Sequence, residues 1–162
     1  MNLDKIHNVY FIGVGGIGMS ALARYFHANG KNVAGYDKVN TLITEELSSI
    51  GVEIHFKDAI DNIPNSFLNK EETIIVYTPA IPSSHLEYNY FKDNQFTILK
   101  RAEILGRITE NTYCLAVAGT HGKTTTSSIL GHIMQPSKAT SFLGGITENY
   151  QSNLILGEDK VS

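Results

Sequence analysis

Val9-Tyr10-Phe11-Ile12-Gly13-Val14-Gly15-Gly16-Ile17-Gly18-Met19-Ser20 decides the fold. A short run of β-forming residues breaks into four glycines within six positions. It resumes over Ile17–Asn29, where Ile17, Ala21, Leu22, Tyr25 and Phe26 recur at helical spacing. Strand, glycine turn and helix open a β-α-β crossover, and the G-x-G-x-x-G pattern of Gly13–Gly18 sits where it has physical meaning. Glycine there lets the chain turn tightly, lets backbone approach a diphosphate and lets the helix pack close to the sheet. The helix start adds unpaired N–H groups and a positive dipole end. Asp37 ends the next strand, where an acid usually accepts ribose hydroxyls. The bland alternative is a packing turn without a ligand. The loop leaves the nucleotide open, with NAD the default from the fingerprint.

Outward from this unit, strands and helices alternate, the rhythm of a parallel sheet with crossover helices. Gly30 stops the first helix. Asn32–Tyr36 reads as a strand, Leu42–Ile50 as a helix closed by Gly51, and Val52–Phe56 as a third strand. Thr73–Tyr77 is a buried-looking strand that stops before Pro79 and Pro82. Ser84–Asp93 is expected to be a helix with Leu86, Tyr90 and Phe91 toward the sheet. Thr97–Leu99 follows as a strand and Arg101–Ile108 as a helix. The polar stretch Thr109-Glu110-Asn111 reads as a linker. It separates a Rossmann-like parallel α/β domain, residues 1–109, from the start of a P-loop α/β ATPase domain, residues 110–162.

The second unit restarts the pattern. Tyr113–Ala118 is expected as an apolar strand, Thr124–Met134 as a helix, and Ser141-Phe142-Leu143 as one more strand before Gly144-Gly145 and polar loop residues. Between the first two lies Gly119-Thr120-His121-Gly122-Lys123-Thr124-Thr125, which ends in the phosphate-gripping half of a P-loop. Successive N–H groups form a cradle, Lys123 reaches the β- and γ-phosphates, and the Thr124 hydroxyl is placed to bind Mg²⁺. A strict G-x-x-x-x-G-K-[ST] match needs glycine at position 117, which is Val117, so the loop is a variant beginning at Gly119. Two phosphate loops argue against a simple dehydrogenase, because hydride transfer has no use for a triphosphate grip. They suggest an ATP-driven reaction on a substrate that itself carries a nucleotide diphosphate.

Composition removes other classes. The 162 residues carry 13 Lys plus Arg against 16 Asp plus Glu, and the net charge of −3 offers no electrostatic drive toward nucleic acid. The longest apolar run, Val9–Met19, is too short to span a bilayer. Lys5, that run and Ala21-Leu22-Ala23 imitate a signal peptide, yet Asp4, His7, Asn8 and the glycines spoil the likeness. A soluble, cytoplasmic protein is expected. The single Cys114 excludes an internal disulfide and, in an apolar run, reads as a small buried hydrophobe. His7, His27, His55, His85, His121 and His132 lack paired ligand spacing, so no zinc site is expected. The tyrosines and phenylalanines read as core, and Asp58, Asp61 and Asn62 as a capping or turning stretch.

Phe11–Ser20 together with Ala116–Thr126 resembles the Mur ligases of peptidoglycan synthesis, and the similarity runs over essentially the whole chain. Thr78-Pro79-Ala80-Ile81, Leu99-Lys100-Arg101-Ala102-Glu103 and Phe142-Leu143-Gly144-Gly145-Ile146 add to it. The Lys100–Glu103 segment looks most like members that add L-alanine. The resemblance implies that residues 1–109 hold the UDP part of UDP-N-acetylmuramate and that the following domain holds ATP and Mg²⁺. Carried over by motif, Gly13, Gly15, Gly16, Ile17, Gly18, Met19 and Ser20 cradle the diphosphate. Asp37, Thr78 and Ala80 lie near the uridine, and Arg101 near the substrate. Gly119, Thr120, His121, Gly122, Lys123, Thr124 and Thr125 hold ATP, with Lys123 the catalytic cation and Thr124 the Mg²⁺ ligand. Where many members carry Gly-His after the third strand, this chain has Lys57-Asp58, so no ligand role is assigned there.

The family's members have three domains. An acidic Mg²⁺-binding segment is expected soon after Ser162, and the adenine pocket and alanine-binding domain fall outside the sequence. The chain is therefore expected to be an N-terminal fragment that does not catalyse alone, with Tyr113 onward poorly supported. A murein-peptide recycling ligase, an NAD-binding Rossmann module and a P-loop kinase are the competing readings.

Overall fold

A computed structural model describes residues 5–110, 112–158 and Val161. Asp4 of the signal-like stretch, Asn111 of the expected linker, and Asp159, Lys160 and Ser162 of the C-terminal tail lie outside the described residues. The chain divides into two compact units, Met1–Arg101 and Ala102–Ser162.

The first unit is a five-stranded, all-parallel sheet in the order β3-β2-β1-β4-β5. Its strands are β1 (Asn8–Ile12), β2 (Asn32–Tyr36), β3 (Glu53–His55), β4 (Thr73–Tyr77) and β5 (Thr97–Lys100). Its crossover helices are α1 (Ile17–Ala28), α2 (Leu42–Ser49) and α3 (Leu86–Asp93). All five residues of β1 are buried, as a central strand covered on both faces requires. Tyr10, Ile12, Ala34 and Ile75 build one face with Phe67 and Phe91, and Phe11 packs toward Phe26 of α1, ring centroids 6.4 Å apart. Local chemistry fixes the ends. Thr41 and Thr44 close a capping box on α2, and Asn29 and Gly30 (φ +72°) end α1.

The expected elements of this unit form within two residues of their predicted ends. One orientation differs. Leu86 is 53% exposed, whereas Glu87 and Phe91 are fully buried. Asp58 accepts the N–H groups of Leu86 (2.8 Å) and Glu87 (3.1 Å) and so fixes where α3 starts. Positions 87 and 91, one turn apart, then share the inward stripe. Asp58 thus caps a helix, as its polar surroundings suggested.

The second unit contains α5 (Lys123–Ile133) and an antiparallel pair, β6 (Ser141–Thr147) and β7 (Ser152–Ile155). Helix α4 (Arg101–Thr109) begins on the last residue of the first unit. α5 lies close on the hairpin: a Cβ on Gly131 would stand 3.0 Å from Ser141 Oγ and 3.3 Å from Ile155 Cδ1. β6 runs through Gly144-Gly145, past its expected end, because β7 supplies a partner the sequence reading did not include. The expected strand Tyr113–Ala118 does not form. Tyr113 makes a single parallel bridge to Val161, and residues 114–119 have no regular structure. Apolar β-formers make a strand only when a neighbour completes the ladder, and among the described residues none does. For the same reason Cys114 is exposed rather than buried.

Candidate functional site

The first loop is positioned by the strand ends around it. The Tyr36 carbonyl accepts the N–H groups of Gly13 (2.8 Å) and Val14 (3.1 Å), tying the loop to the end of β2. Gly13 adopts φ +88°, and a Cβ there would stand 2.6 Å from Thr78 Cγ2, so the turn after β4 closes directly onto it. Gly16 precedes α1 in extended conformation with no side chain capping the helix and no acid in its first turn. An anion is the natural complement to such a helix start.

Two side chains lean on this cradle. Asp37 Oδ2 accepts the Gly15 N–H at 2.7 Å and Oδ1 accepts the Val39 N–H at 3.2 Å. In a dinucleotide site this acid reaches outward to a ribose. Here it takes a backbone donor of the loop and fixes the loop's shape from the end of β2. The Arg101 side chain lies across Gly18: a Cβ at that glycine would meet Arg101 Cδ at 2.8 Å and a guanidinium nitrogen at 2.9 Å. A cation over an uncapped helix start suits a diphosphate.

The remaining expected residues divide by exposure. Thr78 is half-buried, Ala80 exposed and Ile17 half-buried, all near the mouth of the sheet's carboxyl end. Met19 and Ser20 are buried, and the Ser20 hydroxyl donates to the Ile17 carbonyl at 3.0 Å. These two hold the helix start in place from below.

Sequence reasoning missed a polar cluster on the α3 face of the same sheet. Tyr10 Oη stands 2.7 Å from Glu87 Oε2 and 2.7 Å from His55 Nε2, with Asp58 and His85 adjoining. Burial pushes the Glu87 carboxyl up to about 7 and the His55 and His85 imidazoles down. The only sequence signal was a glutamate on the inward stripe of α3, one residue from a leucine that looked the better core candidate.

In the second unit, Gly122 takes the left-handed conformation (φ +75°) and starts α5 without a side-chain cap. Gly119 to Thr125 are exposed. Lys123 Nζ donates to the carbonyls of Gly119 (2.6 Å) and Thr120 (3.2 Å), so the ammonium curls over the loop its own helix starts. That is the space a β- or γ-phosphate needs. Thr124 faces β6: a Cβ on Gly144 would lie 2.9 Å from its hydroxyl oxygen. Glycine there keeps the strand off the hydroxyl, and a threonine oxygen is the kind of hard donor Mg²⁺ takes, so Thr124 fits as one Mg²⁺ ligand. His132 Nδ1 meets Tyr150 Oη at 2.5 Å, a surface pairing away from phosphate chemistry. Among the described residues no His, Cys, Asp and Glu cluster could hold a metal, and no helix is long and apolar enough to cross a membrane.

Comparison with known proteins points the same way. The profile described as Mur ligase family, catalytic domain, matches residues 8–113. The UDP-N-acetylmuramate–L-alanine ligase of Flavobacterium psychrophilum is 62% identical over 157 residues, 96% of this chain and 35% of that protein. The crystal structure of the UDP-N-acetylmuramate–alanine ligase of Thermotoga maritima superposes with a TM-score of 0.84 at 29% identity, over 95% of this chain and 36% of that one. A murein-peptide ligase from Neisseria meningitides shares the fold at a TM-score of 0.82 and 22% identity. The chain spans about a third of the length of the curated relatives it matches. Two glycine loops, each opening a helix after its own segment, and a match over residues 8–113 make this chain a member of the Mur ligase family.

Proposed function

We propose that this chain is the substrate-binding portion of an ATP-dependent ligase that joins L-alanine to the lactyl carboxylate of UDP-N-acetylmuramate. The cradle formed by Gly15, Gly18, the uncapped start of α1 and the guanidinium of Arg101 carries the reading. It suits a diphosphate, with Asp37 holding the Gly15 N–H and so the shape of the loop. We take residues 1–109 as the UDP-substrate domain, with Gly13 to Gly18 on the diphosphate, the buried Met19 and Ser20 supporting them from below rather than touching it, and Thr78, Ala80 and Asp37 on the uridine side. We take residues 110–162 as the beginning of the ATP domain. The compact units divide earlier, after Arg101. UDP sugar, ATP and L-alanine meet in the cytoplasm, where we place the reaction.

A lactyl carboxylate oxygen attacks the γ-phosphorus and ADP departs. The alanine amine then attacks the acyl carbon, phosphate leaves, and the amine gives up a proton as the amide forms. Lys123 and the N–H groups of Gly119 to Thr125 orient the triphosphate and offset the charge that builds on its oxygens. Thr124 holds Mg²⁺, which when bound neutralises phosphoryl charge. L-alanine is read as bound by a part of the ligase that lies outside residues 1–162. The four-residue segment Lys100–Glu103 and the 62% identity to an alanine-adding relative favour alanine over a peptide as the second substrate.

Calorimetric titration of the chain with UDP-N-acetylmuramate, with NAD and ATP·Mg²⁺ run beside it, tests this. Saturable heat with the UDP sugar and none with NAD is the expected result. NAD binding without UDP-sugar binding would sink the reading.

A further inference from the structure

Hydrogen positions in the buried cluster can be counted. His55 Nδ1 lies 3.0 Å from the Lys57 carbonyl, an oxygen with no hydrogen to give, so Nδ1 carries the proton of that bond. A neutral His55 then presents a bare Nε2 to Tyr10 Oη, 2.7 Å away. On its other side Tyr10 Oη meets Glu87 Oε2, also at 2.7 Å. Two short bonds need two hydrogens, and the tyrosine hydroxyl brings one. With Glu87 ionised, one of the two contacts sets lone pair against lone pair in a site where Tyr10 and Glu87 are both fully buried.

One further hydrogen resolves the conflict. A carboxylic Glu87 donates to Tyr10, Tyr10 donates to His55 Nε2, and His55 donates to the Lys57 carbonyl, while Glu87 Oε1 still accepts the Ala59 N–H at 3.2 Å. Every polar atom in the run from Glu87 through Tyr10 to His55 is then satisfied, and these three side chains are uncharged. We infer that Glu87, Tyr10 and His55 hold one proton in common, resident on the Glu87 carboxyl, and that its loss as pH rises loosens the sheet corner carrying Asp37.

The surroundings favour that placement. Around Glu87 stand Tyr10 from β1, Tyr36 from β2, His55 from β3, and Asp58 and the Ala59 N–H from the following connection, with His85, the residue before α3, against Asp58. Among the described residues the ion pairs of Glu87 include no lysine or arginine, only His55 at 3.6 Å. Asp58 is an added negative charge that discourages a second one. His85 stands edge to face with Tyr36, ring centroids 4.7 Å apart, and lies 3.1 Å from Asp58. Burial, the largest influence, raises Glu87 to about 7 and lowers His55, which puts the proton on the acid rather than on the imidazole. The corner is continuous with the glycine loop. The His55 carbonyl accepts the Asp37 N–H at 3.1 Å, and Asp37 in turn holds Gly15.

Glu87 is protonated more readily in the folded chain than in the unfolded one, so folding binds a proton between about pH 4.5 and about 7, and stability falls as pH rises through that window. Glu87→Gln mimics the protonated acid: its amide N–H donates to Tyr10, its carbonyl accepts from Ala59, and it does not titrate. The melting temperature of Glu87→Gln is expected to exceed that of the parent chain by a margin that grows by several degrees from pH 5 to pH 8. A margin independent of pH overturns the shared proton. Nuclear magnetic resonance of the parent chain tests it without a variant. The Glu87 carboxyl carbon is expected to titrate near neutrality and His55 to be the neutral Nδ1–H tautomer at pH 6; a cationic or Nε2–H ring overturns the assignment. The Gly15 amide is expected to shift with the same midpoint, and a stationary Gly15 resonance overturns the coupling to Asp37.

Discussion

The chain contains the same device twice, a glycine loop opening a helix, and the two copies are held in opposite ways. Gly13 and Val14 hang from the Tyr36 carbonyl, Gly15 from Asp37, and Thr78 closes on Gly13. Gly119 to Thr125 are exposed and are gripped by Lys123 of the helix they start. The first loop follows a strand buried over its full length between two partners. The second follows residues 114–119, which pair with nothing described. Loop chemistry is local and forms from a few residues. The strand that should aim the loop needs neighbours distant in sequence.

The largest contrast is therefore expected in amide exchange. Tyr10, Phe11 and Ile12 open only with their sheet, whereas Leu115, Ala116 and Val117 have no ladder to break. The expected ratio of protection is on the order of a thousandfold or more. Comparable protection in the two segments would break the comparison outright.

That asymmetry also marks what was legible in the sequence. Val9–Ile12, Asn32–Tyr36 and Thr73–Tyr77 were readable because consecutive β-formers next to glycine or proline leave few alternatives. Tyr113–Ala118 has the same composition and read identically, since periodicity reports what a segment would do with partners and says nothing about their presence. β7 was invisible for the complementary reason: Ser152–Ile155 has only two buried aliphatics and a polar pair, and becomes a strand because β6 is beside it. At the first site the glycines and the acid were legible as a set. The direction of Asp37 was not, because nothing in a one-letter pattern distinguishes an acid facing a ribose from one facing Gly15. Nor was the pairing of Tyr10 with Glu87, 77 residues apart.

The independence of the two loops gives the next test. Lys123→Ala removes a charged donor from the second loop and none from the first. ATP affinity is expected to fall roughly ten- to a hundredfold, the worth of a hydrogen bond to a charged group. Binding of the UDP sugar and exchange protection in β1 are expected to stay as they are. Loss of UDP-sugar binding in this variant would show that the loops are coupled and that the contrast drawn from their separate supports is too sharp.

Gly144→Ala sharpens the second loop alone. Position 144 lies in β6 with an ordinary backbone, so alanine costs nothing in φ, yet its Cβ would stand 2.9 Å from the Thr124 hydroxyl oxygen. That oxygen belongs to a short side chain fixed at the start of α5, and relief requires the hydroxyl to turn or the strand to shift by a few tenths of an ångström. With Thr124 as the proposed Mg²⁺ ligand, the disturbance falls on that side of the loop and leaves the Lys123 bonds to Gly119 and Thr120 in place. ATP affinity in the presence of Mg²⁺ is expected to drop by about fivefold, with a cost of order 1 kcal/mol, while affinity for ATP without the metal is expected to change little. Far-ultraviolet circular dichroism should match the parent chain, because α5 and the hairpin keep their hydrogen bonds. An equal loss with and without Mg²⁺ would place the effect on the phosphate cradle as a whole. Thr124 would then lose its assignment as the metal's ligand, since only a hydroxyl that meets the cation makes the affinity change depend on it.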